Sequence, residues 1–230
     1  MIRSVADGRV RVVTLDRPER RNALTNEGLY DLADAVLDAD EPVIYLEGAG
    51  DAFCAGADLD IVADLDRQAA YEFARRGQRV ADAIAEYDGT TVAGVDGPAR
   101  GGGVELALAC DIRIATPAAS FAENGVSLGL FGAWGGTARL PEIVGVGMAQ
   151  DLLLSGRVIE AQAALQAGLV SRILDEPRAA AREIAAHEPV ATRTIAKLVR
   201  DRSPKDVAQE REAKAFAELV GASDLANRNR

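Results

Sequence analysis

The feature that most constrains this chain is a strand–glycine–helix–strand unit in residues 91–115. Short apolar strands are predicted over residues 91–95 and 112–115. Between them, three consecutive glycines, Gly101 to Gly103, precede an apolar run with helical spacing over residues 104–109. Glycine-rich loops between strands and helices recur through the first half of the chain. This pattern predicts an α/β fold with ligand-binding groups at the strand-to-helix loops.

The triple glycine lets another molecule approach the backbone to van der Waals contact. The helix behind it begins with free N–H groups and the positive end of the helix dipole. That end suits an anion, or an oxygen that becomes anionic during a reaction. Glu105 lies in the first turn. Two interpretations stay open: a capping glutamate beside glycines that serve tight packing, or a half-buried carboxylate with a raised pKa that transfers protons.

Charge and composition exclude several classes of function. The 230 residues carry a net charge of −10, which argues against nucleic acid and anionic membrane surfaces as partners. The sequence contains no run of about 18 apolar residues, and its first residues lack the apolar core of a signal peptide. We therefore expect no membrane partner and a cytoplasmic location. The two cysteines make no disulfide framework, and His187 is the only histidine, so no metal site is expected.

Most other elements have local signals. A hairpin is predicted from residues 2–6 and 10–15, and a helix capped by Thr25 should bury the apolar face that includes Leu29 and Leu37. A buried strand is expected at residues 43–46 and a long helix at 67–87. After about Gly147, helical patterns dominate, with one predicted strand at 169–173; residues 227–230 are expected to be frayed.

Five segments, in order, resemble the crotonase superfamily, the enoyl-CoA hydratase/isomerase family. Each motif is weak by itself, but together they span nearly the whole chain. They are residues 17–24 (RPERRNAL), 53–59 (FCAGADL), 97–112 (GPARGGGVELALACDI), 129–141 (GLFGAWGGTARLP) and 164–171 (ALQAGLVS).

The resemblance implies a crotonase-like spiral of ββα units with a helical C-terminal trimerisation region. We place the spiral core in residues 1–175 and the helical region in residues 176–230. The implied substrate is an acyl-CoA thioester, with no cofactor beyond the coenzyme A that the substrate carries. The implied assembly is a homotrimer or a homohexamer built from two trimers.

The resemblance also implies roles for individual residues. The backbone N–H groups of Ala57 and Gly102 would hold the thioester oxygen as it becomes an enolate, with Glu105 as the acid/base. Asp58 and Leu59 would lie along coenzyme A. The remaining predicted contacts are Arg21 and Ala23 near its nucleotide end, and Phe131 and Trp134, which would line the acyl pocket or pack in the core.

One departure from the family pattern leaves the reaction open. Family hydratases use two glutamates; Glu105 matches one, but the second falls on Gly125. Glu123 lies two residues earlier, displaced by about 6–7 Å on an extended segment, and replaces it only if the loop shifts. A single carboxylate also suits an isomerase, an acyl-CoA decarboxylase or a thioester hydrolase. A catalytically impaired CoA-binding protein is the non-enzymatic alternative.

A different hydrolase class is the other alternative. Residues 125–129 (GVSLG) fit the nucleophile-elbow pattern, with Ser127 as nucleophile, and Asp151 or Asp175 with His187 would complete a triad in the right order. An elbow follows a hydrophobic strand, whereas residues 122–124 are polar. A dinucleotide-binding fold lacks its glycine fingerprint here.

Overall fold

The strand–glycine–helix–strand unit lies at the centre of a mixed α/β fold in the computed structural model, which describes residues 1–222. The strands of these residues are β1 (Ile2–Asp7), β2 (Val10–Leu15), β3 (Val43–Gly48), β4 (Thr90–Val95), β5 (Pro98–Arg100), β6 (Ile112–Ala115), β7 (Ser120–Ala122), β8 (Ile159–Glu160) and β9 (Arg172–Ile173). The main sheet has the order β1-β2-β3-β4-β6-β9. Its first pair is antiparallel and the others are parallel, as the pattern predicts.

Helices cover the main sheet and form the C-terminal part of the described chain. They are α1 (Asn26–Leu37), α2 (Leu59–Ala63), α3 (Arg67–Ala85), α4 (Gly102–Ala109), α5 (Gly136–Val144), α6 (Val146–Ser155), α7 (Ala161–Gln166), α8 (Arg178–Ala185), α9 (Pro189–Arg200) and α10 (Lys205–Ala222). Short 3-10 helices occupy Pro18–Arg20 and Asn124–Leu128. None of the helices in the described range is long and apolar enough to span a membrane.

Local signals place most boundaries correctly. The Thr25 hydroxyl accepts the Gly28 N–H, and α1 begins at the next residue, Asn26. Leu37 was expected on the buried face of α1, but it is exposed because it is the last residue of the helix. Of the strand predicted over residues 169–173, only Arg172–Ile173 forms a strand, β9. The four C-terminal residues that were expected to fray lie outside the described residues.

A second sheet, which the sequence pattern did not predict, holds the segments on either side of α4. Strand β5 pairs in parallel with β7, and β7 pairs with β8. The triple glycine therefore lies directly after β5, between two strands of this sheet. Strands of two or three residues are too short to show a hydrophobic period, so the sequence pattern does not predict them.

The loop before α1 is hydrogen-bonded to the first glycine-rich loop, residues 49–58. The buried Asn22 amide donates to the carbonyl oxygens of Ala49, Ala52 and Phe53. At Leu24 the backbone pairs with that loop, because its N–H donates to the Gly56 oxygen. These bonds hold residues 49–58 in one conformation without regular secondary structure.

Candidate active site

A cavity of about 380 Å³ opens where the two glycine-rich loops meet. Both loops, helix α3 and the segment before α5 contribute to its walls. The lining residues are Arg21, Ala55, Ala57, Leu59, Val62, Leu65, Ala70, Phe73, Ala74, Arg100, Gly101, Gly102, Glu105, Asn124, Gly125, Leu130, Phe131, Gly132, Ala133 and Trp134.

The two glycine loops are in direct backbone contact. Cys54 pairs with Ala99 in a parallel bridge, and the Arg100 N–H donates to the Cys54 oxygen at 2.9 Å. Gly56 has a φ of +84°, and a Cβ built on it would lie 2.7 Å from the Arg100 oxygen and 2.8 Å from the Gly102 nitrogen. No side chain fits at Gly56 unless the loops separate.

Ala57 and Gly102 both lie on the cavity wall, one on each loop. Gly102 is the first residue of α4, so its N–H belongs to the unpaired first turn of the helix. Ala57 directly follows Gly56, where an added Cβ would lie 2.8 Å from the Gly102 nitrogen. The described hydrogen bonds of residues 1–222 give neither amide an acceptor. Two adjacent N–H groups of this kind are the donors that a developing oxyanion needs.

Glu105 supplies a carboxylate on the same wall. The residue is only 1% exposed, and its Oε1 accepts N–H bonds from Trp134 at 2.8 Å and Gly136 at 2.7 Å. Its Oε2 has no hydrogen-bond partner within the described residues. Burial raises the pKa of Glu105, and the two backbone N–H groups oppose that rise. The geometry suits proton transfer by Oε2, rather than capping of α4.

Glu123 lies beside Glu105, not across the cavity from it. It is 4% exposed and does not line the cavity, whereas Gly125 does. The segment is not extended, because residues 124–128 form a 3-10 helix that begins immediately after Glu123. Burial, and then the neighbouring Glu105 carboxyl, raises the pKa of Glu123 to about 9. Among residues 1–222, the cavity wall therefore carries one carboxylate, that of Glu105.

The Trp134 side chain closes the apolar end of the cavity. It is buried, packs against Phe73 with ring centroids 5.9 Å apart, and contacts Gly77 and Gly102, where a Cβ would collide with its ring. The Trp134 ring therefore lies both on the cavity wall and in the core. Phe131 also lines the cavity but is mostly exposed.

The residues expected to contact coenzyme A divide into two groups. Arg21 and Leu59 line the cavity and are exposed. Ala23 and Asp58 are buried and do not line it. The Asp58 carboxylate is 2.6 Å from the Arg17 guanidinium and caps α2 through the Asp60 N–H, so its observed contacts are structural.

Sequence reasoning missed the wall that α3 supplies. Phe73 and Ala74 face the cavity from this helix, and Leu65 precedes it. The apolar face of the predicted 67–87 helix was the available signal, but it does not say which neighbour that face meets.

The nucleophile-elbow alternative fails on geometry. Ser127 lies inside the 3-10 helix, is exposed, and donates to the Asn124 oxygen. No strand leads into it as an elbow requires, because β7 ends at Ala122. Within residues 1–222, no group of three or more His, Cys, Asp and Glu side chains is placed to hold a metal ion.

Comparisons with known proteins give the family and the structural relatives of this chain. The family profile described as enoyl-CoA hydratase/isomerase matches residues 6–222. A short-chain-enoyl-CoA hydratase of Clostridium acetobutylicum is 34% identical over 95% of this chain and 88% of its own length. A crotonyl-CoA hydratase of Syntrophomonas wolfei is 41% identical over 71% of this chain and 65% of its own. The crystal structure of enoyl-CoA hydratase from Thermoplasma volcanium superposes with a TM-score of 0.92 at 31% identity, covering 99% of this chain and 95% of that one.

We predict that Gly56→Ala destabilises the protein more than its positive φ alone requires. The added Cβ would collide with the Arg100 oxygen and the Gly102 nitrogen. The expected loss is about 1–2 kcal/mol of unfolding free energy from the backbone, plus roughly 1–3 kcal/mol from overpacking. Gly8→Ala is the matched control, because Gly8 has a φ of +63° and open space around it. Equal losses for the two variants in urea unfolding would contradict the prediction.

Proposed function

The chain belongs to the enoyl-CoA hydratase/isomerase family, and from that premise we propose that it adds water reversibly to a short-chain 2-enoyl-CoA through an enolate. An enzyme of the hydratase/isomerase type, a lyase, is what the family and its relatives indicate. The observation that carries the proposal is the Glu105 carboxylate on the cavity wall close to two N–H groups without acceptors.

In the proposed mechanism the thioester oxygen accepts the N–H bonds of Ala57 and Gly102. Charge accumulates on that oxygen when water attacks the β-carbon, so fixed donors stabilise the transition state more than the substrate. Loss of one such donor typically costs on the order of 3 kcal/mol of barrier. The chemistry neither oxidises nor reduces the thioester, so we propose that it requires no cofactor beyond the coenzyme A of the substrate.

Glu105 Oε2 is the proposed acid/base. It takes a proton from the attacking water and returns one to the α-carbon of the enolate. Because Oε1 is held by the N–H groups of Trp134 and Gly136, the carboxylate keeps one orientation during the transfer.

Double-bond isomerisation is the second candidate, and one observation favours it. Gly125 lies on the cavity wall where the family pattern has a second glutamate. A lone carboxylate can move a proton between two carbons of the same enolate without activating water. Decarboxylation and thioester hydrolysis use the same oxyanion site and are outcomes of the experiment below.

We also propose that the chain assembles as a homotrimer or homohexamer, with coenzyme A passing along Arg21 and Leu59. Exposed apolar side chains on α9 and α10 support an interface formed by the helical region predicted over residues 176–230. They include Val190, Ile195, Val199 and Phe216. Sedimentation equilibrium that yields the mass of one chain would contradict the assembly.

The reaction is tested by incubating the enzyme separately with 2-enoyl-, 3-enoyl-, hydroxyacyl- and malonyl-type CoA thioesters. The product masses are then measured by mass spectrometry. We expect 2-enoyl-CoA to gain one water; an isomerase would leave its substrate's mass unchanged and shift the double bond. In Glu105→Gln we expect kcat to fall about 10²- to 10⁴-fold, with acyl-CoA affinity nearly retained, because the amide keeps the shape of the carboxylate.

Glu27→Gln is the control, because it removes the charge of an exposed glutamate on α1, outside the cavity and the proposed interface. It should keep the wild-type rate. A wild-type rate in Glu105→Gln would exclude Glu105 as the acid/base, and a panel in which no thioester reacts would exclude the proposed function.

We predict that Trp134 limits acyl length. Trp134→Leu shortens the side chain that closes the cavity but keeps the backbone N–H donated to Glu105. The ratio of kcat/KM for an eight-carbon over a four-carbon substrate should rise by roughly tenfold or more. The unfolding free energy should fall by about 2–4 kcal/mol, because a buried ring is lost. For Trp134→Phe, both the kcat/KM ratio and the unfolding free energy should lie between those of the wild type and Trp134→Leu. An unchanged kcat/KM ratio in folded Trp134→Leu would contradict the prediction.

A further inference from the structure

One buried group in the candidate site has no role in the proposed reaction: the carboxyl of Glu123. Both of its oxygens are buried, and neither has a hydrogen-bond partner in the described part of the chain. The Oε2 of Glu105 is also buried and unpaired. Two ionised carboxylates side by side in an apolar interior are strongly unfavourable, so one of the pair must be neutral.

The two carboxyl groups lie side by side against two glycines. A Cβ built on Gly132 would lie 2.7 Å from both Glu105 Oε2 and Glu123 Oε2, so these two oxygens are separated by no more than twice that distance. A Cβ built on Gly136 would lie 2.9 Å from Glu105 Oε1 and 3.2 Å from Glu123 Oε1. Any side chain at either glycine would enter the space that the pair occupies.

The backbone distinguishes the two acids. Glu105 receives two N–H bonds, from Trp134 and Gly136, and such donors favour the ionised form. Glu123 receives none: although it is the N-cap of the 3-10 helix, its side chain makes no capping bond. The negative charge therefore resides on Glu105 and the proton on Glu123.

No other charge within the described residues balances Glu123. The charged group that acts on it is Glu105, from α4. Arg139, on α5, acts on Glu105, and its guanidinium donates to Asp82 and the Trp134 oxygen. Glu123 also lines a small cavity whose other described walls, from α4, β7, α5, α6 and the segment before β9, are apolar: Val104, Phe121, Ala122, Leu140, Leu152 and Leu169.

We propose that Glu123 is a neutral carboxylic acid that donates its O–H to Glu105 Oε2 and positions that carboxylate for proton transfer. This role rests on the proposed function of Glu105. Its donated bond keeps Glu105 ionised in an apolar site, and the neutral form limits the pair to one negative charge. An enolate can then form nearby without facing two anions.

The first test measures protonation without any substrate. Unfolded Glu123 titrates near pH 4.3, and its pKa in the folded protein is raised to about 9. Between these values the native state holds a proton that the unfolded chain releases, so rising pH favours unfolding. The unfolding equilibrium constant of the wild type, relative to Glu123→Gln, should rise up to about tenfold per pH unit across this window.

Glu27→Gln serves as the matched control, since it removes the charge of an exposed glutamate on α1. Its unfolding constant should keep a fixed ratio to that of the wild type from pH 5 to 9. A similarly fixed ratio for Glu123→Gln would overturn the proposal, because Glu123 would then be ionised in the native state.

The second test measures the effect on Glu105 through the pH profile of kcat/KM. Glu123→Gln keeps a donor, so the acidic limb should stay within about half a pH unit of the wild type, while the alkaline decline from ionisation of Glu123 disappears. Glu123→Met has similar size and no donor, so the pKa of Glu105 rises and the acidic limb should move up by about one pH unit or more.

An acidic limb that is identical in the wild type, Glu123→Gln and Glu123→Met would overturn the positioning role. If no thioester in the panel reacts, the proposed function is wrong. In that case the unfolding ratios still decide whether Glu123 is the neutral member of the pair.

Discussion

The two backbone hydrogen bonds to Glu105 Oε1 are the interactions on which the geometry of the candidate site depends. A carboxylate buried to this degree needs donors, and the N–H groups of Trp134 and Gly136 supply them. The segment before α5 must therefore pass close to α4. Gly132 and Gly136 allow that approach, because a side chain at either position would meet the carboxyl oxygens. The same segment brings the Trp134 ring to the end of the cavity.

The sheet connections place the two glycine loops side by side. The parallel bridge between Cys54 and Ala99 joins them, and Gly56 lies so near Gly102 that a Cβ on Gly56 would collide with it. A site built from backbone N–H groups depends on this path of the chain and on the absence of side chains at the contact, not on the identity of Ala57. Asn22 stabilises the first loop through three carbonyl oxygens and so acts on the site from outside it.

How far the sequence predicts this structure depends on how far apart in the sequence the interacting residues lie. The hairpin, the Thr25 cap and α4 follow from local patterns, and the five family segments bring Glu105, Ala57 and Gly102 together as candidates. Pairing of β5 with β7 joins short segments about 20 residues apart, so no local period reveals it. The predicted distance between residues 123 and 125 assumed an extended segment. A 3-10 helix begins directly after Glu123 instead, so the local pattern did not give the position of its carboxyl.

The position of the second acid has a physical consequence for the proposed chemistry. A carboxylate at residue 125 would lie on the cavity wall and would be solvated whenever the cavity holds water. At residue 123 the carboxyl is buried, lines a small cavity with apolar walls and lies beside Glu105, and burial and that neighbour raise its pKa, which favours the neutral form. An acid at residue 125 could meet substrate, whereas the proposed role of the acid at residue 123 is to act through its neighbour. The wall at Gly125 is left open to the acyl chain or to water, and the pair carries a single charge.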